Sequence, residues 1–267
     1  MKNILVSIAL ISVIALAACN GGGKDGTPPP DNNGVVTIND LIVNPAQPGA
    51  TSLVEITLDA AATVTPIEQR TKTYTATGGT LYAEQPDFTL VLRNSAQAGP
   101  ATLSTKQNKI YWITPATPVQ VTLTVEVGGK THSKVVSIGN SLATMSIEEQ
   151  GSNKVVTVSV NGVSDLFQAA FRVNYQTSKY TAVSVEKGDF LGSGALFIGL
   201  PDKLVGSVPV SISRKRGEGG SNGNGVLARI IFAPKTTSGV RDTSASAAFD
   251  FEYVELRDSS GDLIGLD

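Results

Sequence analysis

Apolar and polar residues alternate strictly from Val121 to Val127, and the run stops at Gly128-Gly129 before a second alternating segment reaches Val135-Val136-Ser137-Ile138. A period of two puts every second side chain on one face, so the first run reads as a half-buried strand. Two glycines between two such runs predict a tight antiparallel hairpin. The same texture recurs at Val36 to Val43, Ser52 to Leu58 and Phe88 to Leu92, whereas long stretches with a 3.6-residue period are nearly absent. The chain should therefore be all-β, with several short strands per hundred residues paired into sandwiches.

Composition narrows the function classes. The 21 Lys+Arg and 23 Asp+Glu nearly cancel, which gives no electrostatic footprint for nucleic acid. The sole cysteine is Cys19, so no intrachain disulfide can form and burial with sheet pairing must hold the cores.

Lys2, the apolar run Ile4 to Leu16, and Ala17-Ala18 before Cys19 follow the order of a secretory signal. The run is shorter than the ~20 apolar residues a membrane span requires. Leu16-Ala17-Ala18-Cys19 resembles the lipobox of bacterial lipoproteins, which implies that residues 1–18 are a signal peptide cut before Cys19 and that its thiol carries lipid. Such a protein sits on a membrane without crossing it, since two or more acyl chains give lasting attachment. Asn20 after the cysteine resembles lipoproteins sorted to the outer membrane, with the side it faces left open. Residues 19–34, rich in Gly and Pro, read as a flexible tether.

The rest divides at turn-forming residues near Gly139-Asn140-Ser141, giving a first domain over 35–141 and a second over 142–267. In the first, Gly78-Gly79-Thr80 and the Trp112 to Pro115 segment resemble the paired elements of bacterial immunoglobulin-like and polycystic-kidney-disease-like modules. Trp112, the only tryptophan, is expected to plug the core between sheets. In the second, Val156 to Val160 and Ala169 to Tyr175 read as two strands, with Asn161-Gly162 as the turn between them. The phrases F-R-V-N-Y from Phe171, V-S-V-E-K-G-D-F-L from Val183, G-N-G-V-L-A-R-I-I-F from Gly223 and V-E-L-R-D-S-S-G-D-L-I from Val254 occur in the order seen in cohesins. That resemblance implies a nine-stranded jelly-roll sandwich, no catalysis, and a protein partner of dockerin type or another envelope assembly component, held on one face. Tyr175-Gln176-Thr177 departs from the Y-D-P usual at that point in cohesins.

Residues able to carry chemistry are few. His132, the only histidine, lies on the arm of the glycine hairpin, and no nucleophile-elbow sequence accompanies it. Zinc-ligand spacing is absent. Asp250 and Glu252 alternate along one segment, with Glu255 near its end, and two carboxylates at i and i+2 on one strand face would approach glycosidase spacing. Alternation alone also explains them, with Phe249, Phe251 and Tyr253 inward and Asp250 and Glu252 toward water. Asp258-Ser259-Ser260-Gly261-Asp262 reads as a turn rather than a calcium loop. Arg214-Lys215-Arg216 followed by Gly217 to Gly225 reads as a basic tip and solvated loop, without the Lys-Ser/Thr and helix of a phosphate cradle. Tyr82, Tyr111, Tyr175, Tyr180 and Tyr253 are too scattered to form the planar aromatic strip of a carbohydrate-binding module, which is the alternative reading for a polysaccharide partner. No catalytic residue, metal site or cofactor is expected.

Overall fold

A computed structural model describes residues 34–87, 101–201, 204–235 and 248–266 of the 267-residue chain. Leu16, Ala17, Ala18, Cys19, the tether up to residue 33 and the expected strand at Phe88 to Leu92 lie outside the described residues. Among those described, regular structure is strand apart from single turns of 3-10 helix.

Eight strands precede residue 138: β1 (Val36–Asn44), β2 (Leu53–Ala62), β3 (Lys72–Ala76), β4 (Thr80–Tyr82), β5 (Ala101–Thr105), β6 (Lys109–Ile113), β7 (Gln120–Val127) and β8 (Lys130–Ser137). They form two four-stranded sheets, ordered β1-β2-β6-β4 and β5-β3-β7-β8. The alternating residues of β2, β6 and β7 meet in one core that includes Val54, Ile56, Ile110, Trp112, Leu123 and Val125. The glycine hairpin forms as expected, with β7 and β8 antiparallel in unbroken register and Gly128 and Gly129 at φ of 56° and 70°. Both central residues of a primed turn require positive φ, which glycine adopts without a steric penalty.

Trp112 is fully buried on β6, opposite Val54 and Leu81, and its Nε1 donates to the Gly78 carbonyl at 3.0 Å. Gly78-Gly79 carries the chain from β3 in one sheet to β4 in the other. At Gly79 φ is +82°, and a Cβ would lie 2.3 Å from both the Ile113 carbonyl oxygen and the indole nitrogen. The GG-T element and the tryptophan are thus one packing device.

Lys72 is also buried here. Its ammonium donates to the carbonyls of Ile67 at 2.7 Å, Arg70 at 3.2 Å and Lys106 at 2.6 Å, binding the β2–β3 and β5–β6 connections to each other. Carbonyl dipoles replace the water that a buried charge loses.

The second group comprises β9 (Ala143–Gln150), β10 (Asn153–Tyr175), β11 (Tyr180–Lys187), β12 (Leu196–Gly199), β13 (Ser207–Ser213), β14 (Ser221–Pro234) and β15 (Phe249–Asp258). Its organising element is β10. The N-terminal half lies between β9 and β14, with β11 beyond β14, and the C-terminal half lies between β13 and β15, with β12 beyond β13. Two layers result, enclosing a core that includes Val156, Val158, Phe171, Val173, Val210, Ile230 and Phe232.

The expected turn at Asn161-Gly162 is instead a corner within a single 23-residue strand. Register slips occur between Val158 and Leu166, with Gly162 and Asp165 at positive φ, so the strand bends from one layer into the other without reversing. This sandwich shows seven strands among the described residues rather than the nine the resemblance implies, because long β10 and β14 each run through pairings that could be split between shorter strands. The expected loop through Gly225 is also shorter, since Ser221–Gly225 already belong to β14.

Candidate functional site

Among the described residues, the outer face of the β12-β13-β10-β15 layer divides into a covered half and an open half. Val208, Val210 and Ile212 of β13 point into the core, so Pro209, Ser211 and Ser213 point out. Register then sets two rows across the sheet. One runs Ile198, Ser211, Ala170, Glu255, and the other Leu196, Ser213, Gln168, Arg257.

The first sandwich covers one half of this face. Leu53, Ile113, Tyr82 and Tyr111 pack against Ala170, Tyr253 and Leu263 in a small apolar cluster of their own. The Val254 N–H donates to the Thr51 carbonyl at 2.9 Å, and Leu266 N–H donates to the Gln47 carbonyl at 2.7 Å. A polar ring surrounds the cluster. Gln85 donates to Glu255 at 3.2 Å, Arg257 and the Tyr253 hydroxyl hydrogen-bond the same carboxylate, and Lys109 pairs with Glu55 at 2.7 Å, 4.0 Å from Arg257. Burial, followed by the charge of Glu255, pushes the Tyr253 hydroxyl far above its usual range, so it stays a donor.

Beneath this joint lies Arg172, fully buried, 3.3 Å from Glu252. Desolvation pulls the guanidinium down from its ordinary value and the Glu252 carboxylate opposes that effect. Here the expectation for Glu252 is corrected. It does not face water. Arg172 pairs with Tyr253 and Val173 with Phe251, leaving Glu252 as the extra residue of a bulge: Glu252 shares the outer face with Arg172, where the first sandwich covers it, and Tyr253, expected inward, is carried into the joint. Asp250 is exposed, as alternation predicts, whereas Glu252 and Glu255 are both buried and each is held by an arginine. The bulge thus leaves no matched pair of carboxylates on one open strand face.

The other half of the face is open. Leu196 and Ile198 point outward from edge strand β12 with 63% and 52% of their surface exposed, although Phe197 between them packs on the core. Adjacent exposed aliphatics on one edge are what a docking surface requires.

The remaining candidates fall elsewhere. His132 is half-buried on β8, its Nε2 3.5 Å from Asp40, whose carboxyl is held below its usual range chiefly by Lys134. Neither lies near the partly open face. Asp258 forms the expected turn, its Oδ1 accepting from the N–H groups of Ser260 and Asp262, both at 2.9 Å. Tyr180 and Tyr253 are buried, Tyr82 and Tyr111 belong to the joint, and Tyr175 packs on Phe232 at 5.1 Å, so these five form no aromatic strip. Among the described residues there is no cluster of three His, Cys, Asp or Glu able to hold a metal, and no helix long and apolar enough to cross a membrane.

Cohesin structures are similar to this chain. A type II cohesin of Bacteroides cellulosolvens is 13% identical over 46% of this chain and 90% of its own, with a TM-score of 0.37. A non-cellulosomal cohesin from the archaeon Archaeoglobus fulgidus is 17% identical over 46% and 83%, with a TM-score of 0.34. The sixth cohesin of scaffoldin B from Acetivibrio cellulolyticus, solved in complex with a dockerin, is 19% identical over 48% and 94%, with a TM-score of 0.36. No protein-family model and no curated protein matches the sequence.

Arg172, Leu196 and Ile198 were not marked by the sequence as functional. Arg172 sits at an outward position of an alternating strand, where a charge normally meets water. Its burial depends on the first sandwich, more than fifty residues upstream, and no local pattern announces that cover.

Proposed function

We propose that this chain is a non-catalytic, lipid-anchored protein of the cell envelope, in which an immunoglobulin-like domain over 35–141 presents a cohesin-like domain over 142–267 to a protein partner. The four phrases between Phe171 and the C-terminal region support the cohesin-like reading, and the two-layer arrangement around β10 is compatible with it. The observation that carries the binding role is the divided outer face: one half is sealed by the chain itself, and the other offers Leu196 and Ile198 to solvent. The anchor rests on Leu16-Ala17-Ala18-Cys19.

A calcium-loaded dockerin from the same organism, titrated calorimetrically into the protein, is expected to bind. Replacing Leu196→Asp and Ile198→Asp together should weaken it by about thirtyfold or more, the loss of roughly 2 kcal/mol typical of a central apolar contact. Binding untouched by the double substitution would place the contact elsewhere, and absence of binding by any dockerin would remove that partner class. Mass spectrometry of the protein isolated from membranes should find diacylglycerol on Cys19 at the mature terminus. A free thiol there would end the anchor proposal.

A further inference from the structure

A groove of about 600 Å³ opens at one end of the second sandwich, lined by Phe167, Ser213, Arg214, Arg216, Glu218 and Ser259 among others. It lies between the β13–β14 loop and the turn after β15, and both walls are fastened by one side chain. The Asp165 carboxylate accepts the Gly220 N–H through Oδ1 at 2.8 Å, and the Ser259 hydroxyl and N–H through Oδ2 at 2.5 and 3.3 Å. These bonds hold Asp165 below the usual carboxylate range, with Ser259 the leading cause. Asp165 itself has φ of +53°, a conformation that non-glycine residues adopt at an energetic cost and that clusters where geometry serves a site. The approach is so close that a Cβ on Gly220 would lie 2.1 Å from the Asp165 carbonyl oxygen.

Within this bracket the two arginines differ. Arg214 is tied down. Its N–H donates to the Phe167 carbonyl at 3.0 Å, its Nη1 donates to Ser221 at 2.8 Å, and its Nε lies 3.3 Å from Glu218. Arg216 is exposed on the loop and lines the same groove.

The lining therefore combines an aromatic ring, an exposed guanidinium, two serine hydroxyls and a carboxylate. An inorganic phosphate presents charge on every side and would meet Glu218 wherever it sat, whereas a sugar acid confines its charge to one carboxylate and can turn neutral hydroxyls to Glu218. A pyranose needs both donors and acceptors for its hydroxyls, and its apolar face packs on an aromatic ring. A guanidinium matches a carboxylate bidentately. The geometry points to a binding groove for an acidic saccharide, a uronic acid unit whose carboxylate meets Arg216 and whose ring meets Phe167. The groove adjoins the partner face at Ser213, the register neighbour of Leu196, but the assignment does not rest on the protein-partner reading, since its argument uses Phe167, Arg216 and Glu218 and neither Leu196 nor Ile198.

Titration of the full chain with hexagalacturonate tests it, with maltohexaose and hexaglutamate as comparison probes. Hexagalacturonate should bind, and maltohexaose should bind at least about tenfold more weakly. Arg216→Ala should weaken hexagalacturonate by about tenfold or more, the loss expected for hydrogen bonds to a charged group, and Arg216→Lys by less. Arg216 is exposed, so the variant should keep its melting temperature. The Ile198→Asp chain, altered one row away beside Ser211 and outside the lining, should bind hexagalacturonate unchanged, which separates this site from the partner face. No uronate binding, binding indifferent to Arg216→Ala, or hexaglutamate binding as tightly as the saccharide would each overturn the assignment.

Discussion

Arg172→Ala is expected to destabilise the protein by about 3–5 kcal/mol, the penalty for removing one member of a buried ion pair and leaving the other charge uncompensated. Glu252 keeps only 8% of its side chain exposed, so it stays largely out of water while the two sandwiches are together. The loss should therefore appear as a lower urea midpoint, accompanied by easier parting of the joint. Exchanging both partners, Arg172→Met with Glu252→Leu, should restore most of the stability, because apolar groups of similar size remove the desolvation penalty together with the attraction. If the single substitution cost no more than an ordinary surface change, about 0.5 kcal/mol, the pair would not be buried in solution.

Trp112→Ala should cost a similar amount, about 3–5 kcal/mol, through lost burial and the cavity left behind. The indole fills the first core and also satisfies the Gly78 carbonyl, so the substitution empties a large volume and strands an acceptor. With roughly 2–4 °C lost per kcal/mol in a domain of this size, melting followed by circular dichroism should fall by about 10 °C. Trp112→Phe should retain most of the packing and lose mainly the hydrogen bond. A melting point within a degree or two of the parent would mean that the cavity collapses freely, contrary to the clamp formed with Gly79.

Much of this architecture could be read from residue order, and the failures have identifiable causes. Period-two alternation located β1, β2, β7 and the two halves of β10, and Gly128-Gly129 fixed a hairpin because both residues need positive φ. Trp112 was legible as a plug because a lone large aromatic among β-branched residues has few other uses. Asn161-Gly162 misled for a related reason: the same positive φ that closes a hairpin also bends one continuous strand, and only the register of the neighbours separates the outcomes. Glu252 is buried for the same reason as Arg172, because the first sandwich covers the outer face, and its insertion moves Tyr253, expected inward, onto that face as well. The groove was visible only as a basic tip beside glycines. Its floor, Phe167, and its bracket, Asp165, lie some fifty residues earlier, and no short-range pattern links them. The open face is the same kind of case, since the covered half exists only where the two sandwiches meet.

That meeting of layers also has a mechanical meaning. A partner gripping β12 would pull on a sheet whose other margin is bonded to the neighbouring sandwich through Val254 and Thr51, so tension would pass into that neighbour directly instead of being absorbed by a slack hinge. The two units would turn together as a stiff lever, and any swing needed to align cargo would have to come from segments outside them.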